Sequence, residues 1–108
     1  MATKANLVID QGATFSADLS LKDENGDIMQ LGGYTANSQM RKWYTSSNST
    51  SFSTSINSTS GVITLSLTAT QTANLTAGRY VYDVEVTASG VVSRVVEGIV
   101  TVTPNATR

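Results

Sequence analysis

Apolar and polar residues alternate through most of this chain. The stretch "TFSADLSLK" (14–22) puts Phe15, Ala17, Leu19 and Leu21 on one side, and Thr14, Ser16, Asp18 and Ser20 on the other. "GVITLSL" (61–67) and "RYVYDVEV" (79–86) follow the same rule. Successive side chains of a β-strand point to opposite faces, so period two marks strands with one buried face. Further strands are expected at 6–10, 28–31, 35–44, 51–57 and 91–103. Asn25-Gly26 and Ser89-Gly90 carry hairpin chemistry, because a two-residue type I′ turn needs positive φ at both positions. If the second loop has two residues, Ala88 pairs with Val91 and Glu85 faces Arg94, a cross-strand ion pair. Gly98 is expected to mark a bulge, and Pro104 ends the last strand. Thr68 suits the N-cap of one helical turn, with Ala69, Ala73 and Leu75 closing an end of the core. Seven or eight short strands with turn signals every 8–12 residues specify an all-β sandwich.

The 108 residues support one domain spanning 1–108. Within it, the Ser/Thr-rich tract 45–60 reads as a loop or weak strand, in which Phe52 and Ile56 share a parity. Charged residues are only 14% of the chain, against about 25% in a typical soluble domain. Hydrophobic residues reach 40%, which separates the sequence from disordered Ser/Thr-rich chains. No leader is expected in "MATKANLVID", and no run has the length of a membrane span. A net charge of −1 offers no basic face for nucleic acid.

The chain has no histidine and no cysteine. That removes the commonest general base, thiolate chemistry and disulfides, so no enzyme and no cofactor are expected. Asp23, Glu24, Asn25 and Asp27 lack the length and closing Glu of an EF-hand and read as a turn. Asp83 and Glu85 share a strand face, as a carboxylate pair would, yet read as a solvated or subunit-contact face. Asn48, Asn57, Asn74 and Asn105 begin N-x-S/T sequons, which chance supplies in so Ser/Thr-rich a sequence.

In "LTAGRYVYDVEV" (75–86), Leu75 ends the helical turn, Gly78 supplies a corner and Tyr80 begins a strand. An immunoglobulin-like sandwich places a Tyr there, its hydroxyl bonding back to the corner's backbone. Tyr80 and Tyr82 fall on the face opposite Asp83 and Glu85, so the four do not form one groove. The expected fold is an immunoglobulin-like antiparallel β-sandwich.

The segments "LGGYTANSQMRKWY" (31–44) and 61–108 resemble a family of small virion proteins of tailed bacteriophages. The shared pattern is a Leu-x-Gly-Tyr-Thr lead, an Ile-Thr-Leu strand, a Leu-x-x-Gly-x-Tyr-x-Tyr-Asp hairpin and a Glu-Gly-x-Val-x-Val-x-Pro ending. The family is similar to the N-terminal immunoglobulin-like domain of baseplate receptor-binding assemblies. The resemblance implies a multi-copy structural part of the particle, at the tail, neck, baseplate or capsid surface, with other virion proteins as partners. It transfers no catalytic residue. Candidate docking residues are Leu7, Val8 and Ile9 on the first strand, Ile99 and Val100 on the last, and Arg41, Trp43 and Tyr44. Core packing of one of the two aromatics is an equal alternative. A second function, glycan adhesion through 45–60 and Trp43/Tyr44, is also open.

Overall fold

The computed structural model describes residues 3–22, 25–43, 49–57 and 59–106. The strands are β1 (Thr3–Lys4), β2 (Leu7–Asp10), β3 (Phe15–Ser20), β4 (Thr35–Arg41), β5 (Thr50–Ser51), β6 (Ser53–Asn57), β7 (Val62–Leu67), β8 (Gly78–Ala88) and β9 (Val91–Thr103), with a helical turn α1 (Ala69–Ala73) before β8. One sheet runs β1-β9-β8-β4-β5, with β2 continuing β1 along β9, and the other runs β3-β7-β6. Two sheets with this strand order form an immunoglobulin-like sandwich. Its core takes one parity from each strand: Ile63, Leu65 and Leu67 from β7, Tyr82, Val84 and Val86 from β8, and Val96, Val100 and Val102 from β9.

Local chemistry explains the turns and the helix. Ser89 and Gly90 take φ of 51° and 78°, the positive pair a type I′ turn needs, and Ala88 pairs with Val91 as expected. The Thr68 hydroxyl accepts from Gln71 N, and the Gln71 side chain accepts from Thr68 N, a reciprocal capping box. The turn covers the core differently from expectation. Leu75 is buried, but Ala69 and Ala73 face solvent and Thr72 points inward. Thr72 Oγ1 donates to Ala13 O at 2.8 Å and accepts from Gly12 N at 3.1 Å. Those bonds tie the helical turn to the β2–β3 corner, which no alanine could do.

Other expectations need correction. The sandwich is not wholly antiparallel, because β1 and β2 run parallel to β9, Leu7 opposite Val100. The 28–31 strand reduces to a single bridge between Lys22 and Ile28. The tract around Phe52 is two strands: β5 pairs with β4, β6 pairs with β7, and the chain changes sheets at Phe52. The bulge lies at Val95, not Gly98. Val84 pairs with Val96 and Glu85 with Arg94, leaving Val95 over. The extra residue turns Arg94 onto the outer face, where it meets Asp83 at 3.4 Å and Glu97 at 3.5 Å rather than Glu85.

Gly98 does something else. It lies under the jog between β1 and β2, where Ala5 O comes against its bare Cα. The Ala5 carbonyl is turned to accept from the Tyr82 hydroxyl at 2.6 Å. Asn6 Oδ1 takes the place of the missing ladder acceptor and receives Ile99 N at 3.1 Å. Burial pushes the Tyr82 phenol up to about 12. The folded state therefore keeps this proton between about pH 10 and 12, where the unfolded chain has released it. Stability is intact below pH 10 and falls as pH rises through that window, with a slope approaching about 1.4 kcal/mol per pH unit. Urea melts across the window should show this loss in the wild type. In Tyr82→Phe the Tyr82 component disappears, while stability at neutral pH drops by about 1 kcal/mol for the lost bond. Equal alkaline slopes in the two proteins would dismiss Tyr82 as the source.

Candidate functional site

Tyr80 forms the expected corner. Its hydroxyl donates to Thr76 O at 2.7 Å, four residues back, as the β8 strand begins. Its ring carries Lys42, with Nζ 5.0 Å from the centroid. The tyrosines and the acids of β8 thus lie on opposite faces, which leaves Asp83 and Glu85 on the outside of the larger sheet.

The candidate docking residues separate by parity. Ile9 and Val100 are fully buried in the chain's own core, so they are withdrawn as docking residues. Leu7 is half-buried and packs against that core. Val8 and Ile99 point outward and are 63% and 42% exposed. The parallel register sets Val8 opposite Thr101, two residues along β9 from Ile99. The outer face of β9 next to β8 brings Val81 opposite Ile99. Arg41 is half-buried and bonds Gln39 Oε1 at 3.0 Å. Trp43 follows the end of β4 and is 59% exposed, so core packing of this ring is excluded. Tyr44 lies outside the described residues, as do Asp23 and Glu24 of the acidic turn.

Two surfaces result. The first is the outer face of the larger sheet, where Val8, Ile99 and Val81 form an apolar strip. Beside it lies a charged network in which Arg94 bonds Asp83 and Glu97, and Lys4 approaches Glu97 at 3.8 Å. Such half-exposed pairs orient side chains but add little stability. The second is a cleft of about 550 Å³ at the sandwich end, lined by Trp43, Lys42, Tyr80, Leu75, Asn74 and Thr76.

Val81 and Arg79 belong to the first surface but were not candidates from sequence. Strand parity puts them outward, yet only the pairing of β9 with β2 brings Val8 alongside. The exposed Val91 and Val92 sit near the β8–β9 hairpin tip. Alternation accounts for one outward valine of an adjacent pair, whereas both are exposed here.

No protein-family model matches the chain, and no curated protein matches it. Among solved structures, it is similar to the one titled "Crystal structure of Listeria monocytogenes InlP", with a TM-score of 0.51 and 19% sequence identity. That likeness covers 94% of this chain and 28% of the InlP chain, so the chain spans under a third of its neighbour's length. At such identity the likeness speaks for the sandwich fold, not for a shared activity.

Proposed function

We propose that the protein is a non-enzymatic structural component of a tailed-phage virion that acts by docking to other capsid or tail proteins. The observation that carries this reading is the uncovered apolar strip of Val8 and Ile99 beside the outer edge of β2. Edge strands of free proteins are usually blunted by charge or proline, whereas an open edge next to apolar side chains suits strand addition by a partner. A charge content of 14% fits a surface that spends its life covered. The resemblance of 31–44 and 61–108 to small virion proteins supplies the kind of particle. The protein would be made in the host cytoplasm and reside in the virion.

Antibody labelling of purified particles, viewed by electron microscopy, tests the reading. Label on every particle is expected, over the head for a capsid part or at one end for a neck, tail or baseplate part. Unlabelled particles, with the protein also absent on denaturing gels, would end it. Ile9 of the same strand is fully buried, so a test of this edge must leave it in place. Val8→Asp alters the outward side chain alone and should reduce incorporation with the fold intact.

A second reading has its own observation. Trp43 offers an exposed ring beside a cleft that also holds Tyr80 and the polar side chains of Asn74 and Thr76. An aromatic platform with nearby amides and hydroxyls suits a sugar of the host surface. Binding on a glycan array that disappears in Trp43→Ala would favour adhesion; a blank array would leave the docking role.

A further inference from the structure

The cleft at the sandwich end has a charge that the docking reading does not use. β4 ends at Arg41, and the chain bends at Lys42 and Trp43. A continuing strand would send two successive side chains to opposite faces. The bend instead brings both to one cleft of about 550 Å³. That volume lies within the roughly 300–1,000 Å³ of small-molecule sites. Buried Leu75 and the half-buried ring of Tyr80 give the cleft apolar walls, and Trp43 adds an exposed ring. Lys42 Nζ sits 5.0 Å from the Tyr80 centroid and lies against the bare Cα of Gly78, where a Cβ would come within 2.7 Å of it. A ring face holds an ammonium in place without neutralising it. Among the described residues no carboxylate pairs with Lys42, and no Asp or Glu lines the cleft. The side-chain amide of Asn74, exposed at the C-cap of α1, makes no hydrogen bond within the described chain.

We propose that this cleft binds a saccharide that carries an anionic group. The C–H face of the sugar ring lies on Trp43, and Lys42 Nζ donates to the anionic oxygen. Asn74 and Thr76 offer donors and acceptors together, the pattern that sugar hydroxyls satisfy. A neutral sugar would leave the ammonium without a counter-charge, and a bare inorganic anion would leave the Trp43 ring unused. A hydrogen bond from an ammonium to an anion is about twice as strong as one between neutral groups, so the charge decides which sugar is preferred. The inference rests on the adhesion reading of this cleft and names its class of sugar. It is independent of whether the β2 edge docks to a virion protein.

Trp43 is the single tryptophan of the chain, so its fluorescence reports on this cleft alone. The full chain is titrated with sugars up to about 20 mM, where a millimolar complex is filled. The probes are a disaccharide ending in glucuronic acid, the same disaccharide ending in glucose, and a glucose phosphate. The two anionic probes share the required chemistry, and the tighter of them tells a carboxylate from a phosphate. At least one should bind about tenfold more tightly than the neutral disaccharide, with the advantage shrinking in high salt. Lys42→Met keeps an unbranched side chain over Tyr80 and should erase the advantage, with a thermal midpoint close to wild type as the check on folding. Lys42→Arg should keep it. Equal binding of charged and neutral sugars would overturn the inference and leave the adhesion reading standing. A Trp43 emission that no sugar moves would remove both. A preference for the anionic sugar that survives Lys42→Met would overturn the assignment of Lys42 as the group that reads the charge.

Discussion

Gly98→Ala is expected to destabilise the protein by roughly 3 kcal/mol, although glycine-to-alanine exchange inside a strand ordinarily stabilises by about 0.5–1 kcal/mol. The sign reverses because of what lies above the residue. A Cβ at Gly98 would collide with Ala5 O, approach the Ala5 carbonyl carbon to 2.8 Å and Asn6 Oδ1 to 3.1 Å. Two of these atoms are backbone, so no rotamer change relieves the clash and the β1–β2 jog must move. Movement breaks the Tyr82–Ala5 bond of 2.6 Å and the Ile99–Asn6 bond of 3.1 Å. Overpacking costs about 1–3 kcal/mol, and each lost bond adds about 1 kcal/mol. At about 4–8 °C per kcal/mol for a domain of this size, the thermal midpoint should fall by roughly 15 °C. Gly32→Ala is the control. Nothing lies within 4 Å of the Cβ it would gain, and its midpoint should stay within a few degrees of wild type. Equal midpoints for both variants would mean that the first strand is not pressed against Gly98.

That contact was beyond the reach of sequence pattern, and the reason is general. What alternation and turn chemistry encode is local: the burial parity of β3, β7 and β8, the Ser89-Gly90 turn, the Thr68 cap and the Tyr80 corner all follow from neighbours in the chain. Even the Glu85–Arg94 register follows once the hairpin loop is fixed at two residues. The parallel pairing of Leu7 with Val100 has no such anchor, because no turn connects the partners. Gly98 in a strand signals either a bulge or a close backbone approach, and nothing local decides between them. The bulge went to Val95, where it brings Arg94 out to two carboxylates. The docking candidates divide for the same reason. Naming whole strands mixed Val8 with Ile9 and Ile99 with Val100, and parity within the sheet separates the outward member of each pair from the buried one.

Phe52→Ala should cost about 3–5 kcal/mol, the range for removing a buried phenylalanine. Phe52 is the one large apolar side chain of the Ser/Thr-rich 49–55 segment, and the chain passes from one sheet to the other at that residue. Its N–H donates to Ser38 O at 3.0 Å on the larger sheet. Its ring lies 6.0 Å from Phe15 of the smaller sheet and 6.2 Å from Tyr82 of the larger one. The ring therefore fills the space between the layers where no regular strand covers it. Truncation leaves a cavity against Phe15 and Tyr82, and the surrounding polar residues have nothing apolar to close it. Against a total stability of about 5–15 kcal/mol, this loss should leave the variant partly unfolded at physiological temperature. Phe52→Leu, which keeps most of the volume, should cost nearer 1.5 kcal/mol. A cycle with Phe15→Ala should show coupling of about 0.5–1.5 kcal/mol, the increment of an aromatic pair beyond buried area. Urea melts give all of these numbers. If Phe52→Ala cost under about 1 kcal/mol, the Ser/Thr-rich segment would be an appendage of the sandwich, and the two sheets would be held by β7, β8 and β9 alone.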